Sequence, residues 1–141
     1  MTLDEMKRRF VDEVKLRGYD DKYIDRKEER EILQIAIQNG ISIDSARSSL
    51  LQVCEGQNFV LESAVLAKLK DILETSAGND GKVDEKEYKD AVLNLKKWTN
   101  GNKNDIQVRK MVIEVIQECS FKTSAGWFSD WFAREKKELG M

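Results

Sequence analysis

The sequence predicts an all-α fold, a compact bundle of six to seven helices joined by short connections. Three observations carry this expectation. The chain contains no proline, its glycines fall where helical patterns stop, and apolar residues recur at i, i+3 and i+4 along most of its length. With 141 residues, 40% hydrophobic and 35% charged, it can build one real core and lacks the composition of a disordered segment. It is therefore read as a single domain, 1–141. Within it lie an N-terminal helix with its connector (1–24), a helical core (25–98) and a C-terminal helical pair (104–141).

The elements follow in order. In "TLDEMKRRFVDEVKLRG", Leu3, Met6, Phe10 and Val14 share a helical face, with Thr2 as N-cap and Gly18 as stop. "YDDKYI" connects to a second helix from Asp25 to Gly40, striped by Ile32, Leu33, Ile35, Ala36 and Ile37. Ser42 caps a third helix, with Ile41 ahead of it as a hydrophobic staple, and that helix stops near Gly56. Phe59 and Val60 are β-prone residues before a fourth helix, whose buried face is Val65, Leu66, Leu69, Ile72 and Leu73 and which ends near Gly78. The fifth starts at Asp84, where "DEKE" has the Asp-x-x-Glu form of a capping box, and carries Tyr88, Ala91, Val92, Leu95 and Trp98. After the loop "TNGNKN", a sixth uses Ile106, Met111, Val112, Val115, Ile116 and Cys119. The last begins after Thr123 or Ser124. A very short antiparallel pairing fits the loops near 59–61 and 82–83, and the pattern yields no fixed-period repeat.

Composition excludes several function classes. Lys plus Arg number 24 against 26 Asp plus Glu, a net charge of −2, which gives no drive toward nucleic acid or an anionic membrane. With no histidine, Ser-His-Asp and Cys-His nucleophiles and histidine-ligated metals drop out. Carboxylate pairs such as Asp84 with Glu87 stand beside no phosphate-binding glycine loop or nucleophile elbow, so the chain is not expected to be an enzyme. Cys54 and Cys119 sit among apolar neighbours outside any CxxC and read as buried, reduced thiols. "MTLDEMKRRF" has no uncharged apolar stretch of the kind a signal peptide needs, and no apolar run is long enough for a transmembrane segment. A cytoplasmic location follows as the expectation.

The segment "AGNDGKVDEKE" is the closest approach to a chemical site. Aligned with a twelve-residue calcium loop, Glu87 takes the last position and Gly81 the sixth, where a sharp turn needs glycine. Asp80 is then fifth, Lys82 supplies the seventh-position carbonyl, Val83 is eighth and Asp84 ninth, while Ser76 and Gly78 stand where two carboxylates would coordinate. The second half of the segment resembles an EF-hand. It is also similar to the Asp-Gly turn of tellurite-resistance TerB-like proteins, compact all-α domains linked to metal and stress responses. That resemblance rests on Asp80, Gly81, Asp84, Glu85 and Glu87, and implies an acidic metal site between antiparallel helices. The candidate metal residues are Asp80, Lys82, Asp84 and Glu87, for weak calcium at an affinity no better than about 10⁻⁴ to 10⁻³ M. The same residues equally make a tight turn and a capping box with no ion and no cofactor present.

The C-terminal "GWFSDWFAREKKELG" places Trp127, Phe128, Trp131 and Phe132 on one arc of a helix. Such a stripe docks on the protein's own core or forms a partner-binding surface. The leading expectation is thus a non-enzymatic helical module acting through an unknown protein partner, as a monomer or weak homodimer. The alternative is a weak divalent-cation binding or sensing domain.

Overall fold

Polar side chains set where most of the helices begin. In the computed structural model, which describes residues 2–78, 81–123 and 130–141, the protein is an all-α structure with seven helices among the described residues. Helix α1 spans Leu3–Arg17 and is capped by Thr2; α2 spans Arg26–Gln38 and is capped by Asp25. Helix α3 (Ile43–Gln57) starts at Ser42, and α4 covers Glu62–Ala77. Asp84 caps α5 (Glu85–Trp98), Asn104 caps α6 (Asp105–Glu118) and Asp130 caps α7 (Trp131–Glu138). Each capping oxygen takes one of the amide hydrogens that a helix start leaves without a partner. No helix among the described residues is long and apolar enough to cross a membrane.

The described residues also hold four two-residue strands: β1 (Tyr23–Ile24), β2 (Val60–Leu61), β3 (Lys82–Val83) and β4 (Lys122–Thr123). The short pairings exist, but with other partners than the sequence suggests. Val60 and Leu61 pair with Tyr23 and Ile24, and Lys82 and Val83 pair with Lys122 and Thr123, both in parallel. Pattern alone marks a β-prone dipeptide and cannot choose its partner.

The chain divides into two compact units, Met1–Ser63 and Ala64–Met141. The first has its own core, with Phe10 and Val14 of α1, Ile32, Leu33 and Ala36 of α2, and Ala46, Leu50 and Cys54 of α3. Ile24 and Leu61 from the strand pair close it. The second core joins Leu69 and Leu73 of α4, Tyr88, Ala91, Val92 and Leu95 of α5, and Val108, Val112 and Ile116 of α6. Val83, Trp131 and Leu139 complete it.

Taken by themselves, the two units follow one plan, a repeat that the apolar pattern does not announce. Phe10 and Val14 correspond to Leu69 and Leu73, Ile24 to Val83, and Ala36 to Leu95, at constant spacing along the chain; all eight are buried. The capping box of Asp25 and Glu28 recurs as Asp84 and Glu87. Lys22 and Gly81, just before each first strand, both have positive φ, as do Asn58 and Ser120 before each second strand. The strand hydrogen bonds repeat as well: Val60 N–H donates to the Lys22 carbonyl and Lys122 N–H to the Gly81 carbonyl, each at 2.8 Å.

Helix α3 ends near Gly56, as expected, at Gln57, where Asn58 turns left-handed. Two expectations change. Ile37, placed on the apolar stripe of α2, points to solvent. The last helix begins at Trp131, because extended Asp130 accepts a hydrogen bond from the Ala133 N–H and so starts the helix there. Of the aromatic arc, Trp131 and Phe132 lie on this helix, and Trp127 and Phe128 lie outside the described residues.

Candidate functional site: the acidic turn and the α5–α6–α7 cleft

Asp84 and Glu87 are held by each other's backbone. Asp84 Oδ1 accepts the Glu87 N–H at 2.7 Å, and Glu87 Oε1 accepts the Asp84 N–H at 3.5 Å. Lys82 is exposed in β3 opposite Lys122, while Asp80 lies outside the described residues. Among the described residues, no three Asp, Glu or Cys side chains come together as a metal-holding group. The first unit repeats the box, with Asp25 Oδ1 accepting the Glu28 N–H at 2.7 Å and Glu28 Oε1 accepting the Asp25 N–H at 3.4 Å. Burial there pushes the Glu28 carboxyl above its ordinary range.

The C-terminal aromatics divide. Trp131 is 4% exposed and faces the core of its own unit, its ring 5.1 Å from that of Tyr88. Phe132 is half-buried, edge-on to Trp131 at 5.6 Å, with the Lys136 ammonium 5.4 Å from its centroid. Beside them lies a cluster the sequence did not disclose. The Tyr88 hydroxyl donates to Glu135 Oε1 at 2.8 Å, and Arg109 Nε donates to the same oxygen. Arg109 also reaches Glu138 at 3.3 Å and Asp105 at 3.6 Å, and Arg134 reaches Glu85 at 3.3 Å. The Arg109 guanidinium holds the Glu135 carboxyl below the usual range, and burial pushes the Tyr88 phenol up. These pairs fasten α7 to α5 and α6. They join residues distant in sequence, so only the Asp105–Arg109 spacing on one helix was available as a signal.

A cleft of about 400 Å³ opens beside this cluster. Tyr88, Lys89, Val92 and Leu93 of α5 form one wall, and Asp105, Arg109 and Glu135 the other. Leu93 is 66% exposed, an apolar side chain off the buried stripe of α5. That displacement from the stripe is the mark by which the sequence could have revealed it.

In the first unit, Glu62 is a buried carboxylate. The Tyr23 hydroxyl donates to it, and Arg26 Nε lies 3.4 Å from its Oε1. Burial raises the Tyr23 phenol well above its ordinary value. This group ties β1 to the start of α4, and the Ser63 hydroxyl adds a bond to Glu29 at 3.0 Å. Both cysteines are free thiols. Cys54 is buried, its thiol pushed up to about 11, whereas Cys119, expected in the core, is only half-buried at the end of α6.

Comparison of the chain with protein-family models, with curated proteins and with solved structures finds no significant match in any of the three. The fold defines the class as a two-unit helical protein.

Proposed function

We propose that this chain is a non-enzymatic helical module that acts by binding another protein. The observation that carries the reading is Leu93, two-thirds exposed in the wall of the α5–α6–α7 cleft. Burying a leucine contributes about 1.5–3 kcal/mol, enough for roughly a tenfold gain in affinity or more. The charged groups around it are matched, Arg109 with Glu135 and Lys89 with Glu85, and so frame a contact. The test compares proteins retained by the wild type and by Leu93→Asp, with helicity and unfolding midpoint measured on both. At least one protein should be enriched by the wild type and reduced roughly tenfold or more by the substitution. Identical sets retained by two equally folded proteins would overturn the reading.

The second reading is weak calcium binding at the acidic turn. In its favour, Asp84 is exposed and only its Oδ1 is taken up by the cap. Asp80, Lys82 and Glu87 would complete the donors.

A further inference from the structure

The two units part company at a slot between the first two helices of each. In the second, Lys68 on α4 and Trp98 at the end of α5 meet, the ammonium lying 4.3 Å from the ring centroid. Trp98 is half-buried and packs on that unit's core. The positions matching Lys68 and Trp98 in the first unit are Arg9 and Asn39, by the spacing that relates Phe10 to Leu69 and Ala36 to Leu95. Here no ring fills the space. A cleft of about 230 Å³ remains, bounded by Met6, Arg9 and Phe10 of α1, Ile35 and Ala36 of α2, and Asn39 at its end. The Asn39 amide donates back to the Ile35 carbonyl at 2.8 Å and so stays on its own helix.

We propose that this α1–α2 slot receives one aromatic side chain, tryptophan above all, from an exposed segment of a partner protein, with the Arg9 guanidinium over the ring. The proposal rests on the reading of the chain as a protein-binding module and supplies the chemistry of the partner. Size favours a single ring, since sites for whole small molecules run to roughly 300–1,000 Å³. Charge favours it too. Glu13 is engaged by Arg17 at 3.0 Å, whereas Arg9 has no ion pair among the described residues. The rim therefore offers a cation to the negative face of a π-system. Phe10 and Ala36 give an apolar floor, and Trp98 under Lys68 is the filled version of the same slot within this chain.

Titration of the full chain with N-acetyl-tryptophanamide, followed by amide NMR, tests this. Saturable shifts should centre on Met6, Arg9, Ile35, Ala36 and Asn39, and N-acetyl-leucinamide should bind more weakly. Asn39→Trp should abolish the shifts by filling the slot, and Arg9→Met should weaken binding roughly two- to fivefold. No saturable shift in these residues, or shifts indifferent to both substitutions, would overturn the proposal. A wild-type dimer in sedimentation that Asn39→Trp dissociates would also overturn it, because the occupant would then be a second copy of this chain. A blank titration leaves the Leu93 comparison standing, so failure of the slot and failure of the binding-module reading are distinguishable.

Discussion

Asp84 and Glu87 bear on two demands, closing a helix start and holding a cation. Capping uses one oxygen of each, and substituting a capping aspartate by alanine costs about 1 kcal/mol. A weak site with a dissociation constant of about 10⁻³ M adds only about 0.4 kcal/mol at about 1 mM calcium. The unfolding midpoint should therefore barely move between chelator and calcium, while Asp84→Ala lowers it equally in both. A calcium-dependent rise of several degrees, lost in Glu87→Gln, would make the turn a cation site. The Asp84 cap was legible because Asp-x-x-Glu is a local pattern whose partners lie three residues apart, and the same pattern at Asp25 and Glu28 offered the first unit's box as well. Arg109, Glu135 and Tyr88 were not, since α6, α7 and α5 must pack before their side chains meet.

Among the elements, α7 departs most from what periodicity implies. The four aromatics fit one helical arc on paper, yet Asp130 is a better helix start than helix interior, and its side chain caps the turn beginning at Trp131. Once started there, the helix turns Trp131 onto Tyr88 and sets Glu135 against Arg109. Glu135 has a carboxyl lowered by Arg109 in the folded state, so its contribution is present above the unfolded carboxylate value of about 4.3. It fades as pH falls through the lower folded value. Glu28, raised by burial, works in the opposite sense, so the effect is read as a difference between two proteins. Glu135→Gln should destabilise the chain at neutral pH, and the gap from wild type should close below about pH 4. A gap independent of pH would mean that the carboxylate charge does not hold α7.

At the scale of the molecule, the two units repeat one plan while preserving few side chains. The clearest trace is "DDKYIDRKE" against "NDGKVDEKE", in which Asp21, Asp25, Lys27 and Glu28 recur as Asp80, Asp84, Lys86 and Glu87. Only the second copy has glycine at the left-handed position; the first places Lys22 there, so a search guided by glycine finds one turn. The helices were legible because amphipathic periodicity is strong, and the strand pairs were not, because two residues carry no register. Equivalence of the copies also makes Asn39 and Trp98 two answers to one position, the first leaving a slot and the second filling it. Denaturant unfolding of Asn39→Trp and Trp98→Asn beside the wild type tests this most directly. Asn39→Trp should stabilise the chain, by on the order of 1 kcal/mol, and Trp98→Asn should destabilise it by on the order of 2 kcal/mol. Destabilisation by Asn39→Trp, or no loss in Trp98→Asn, would contradict this equivalence.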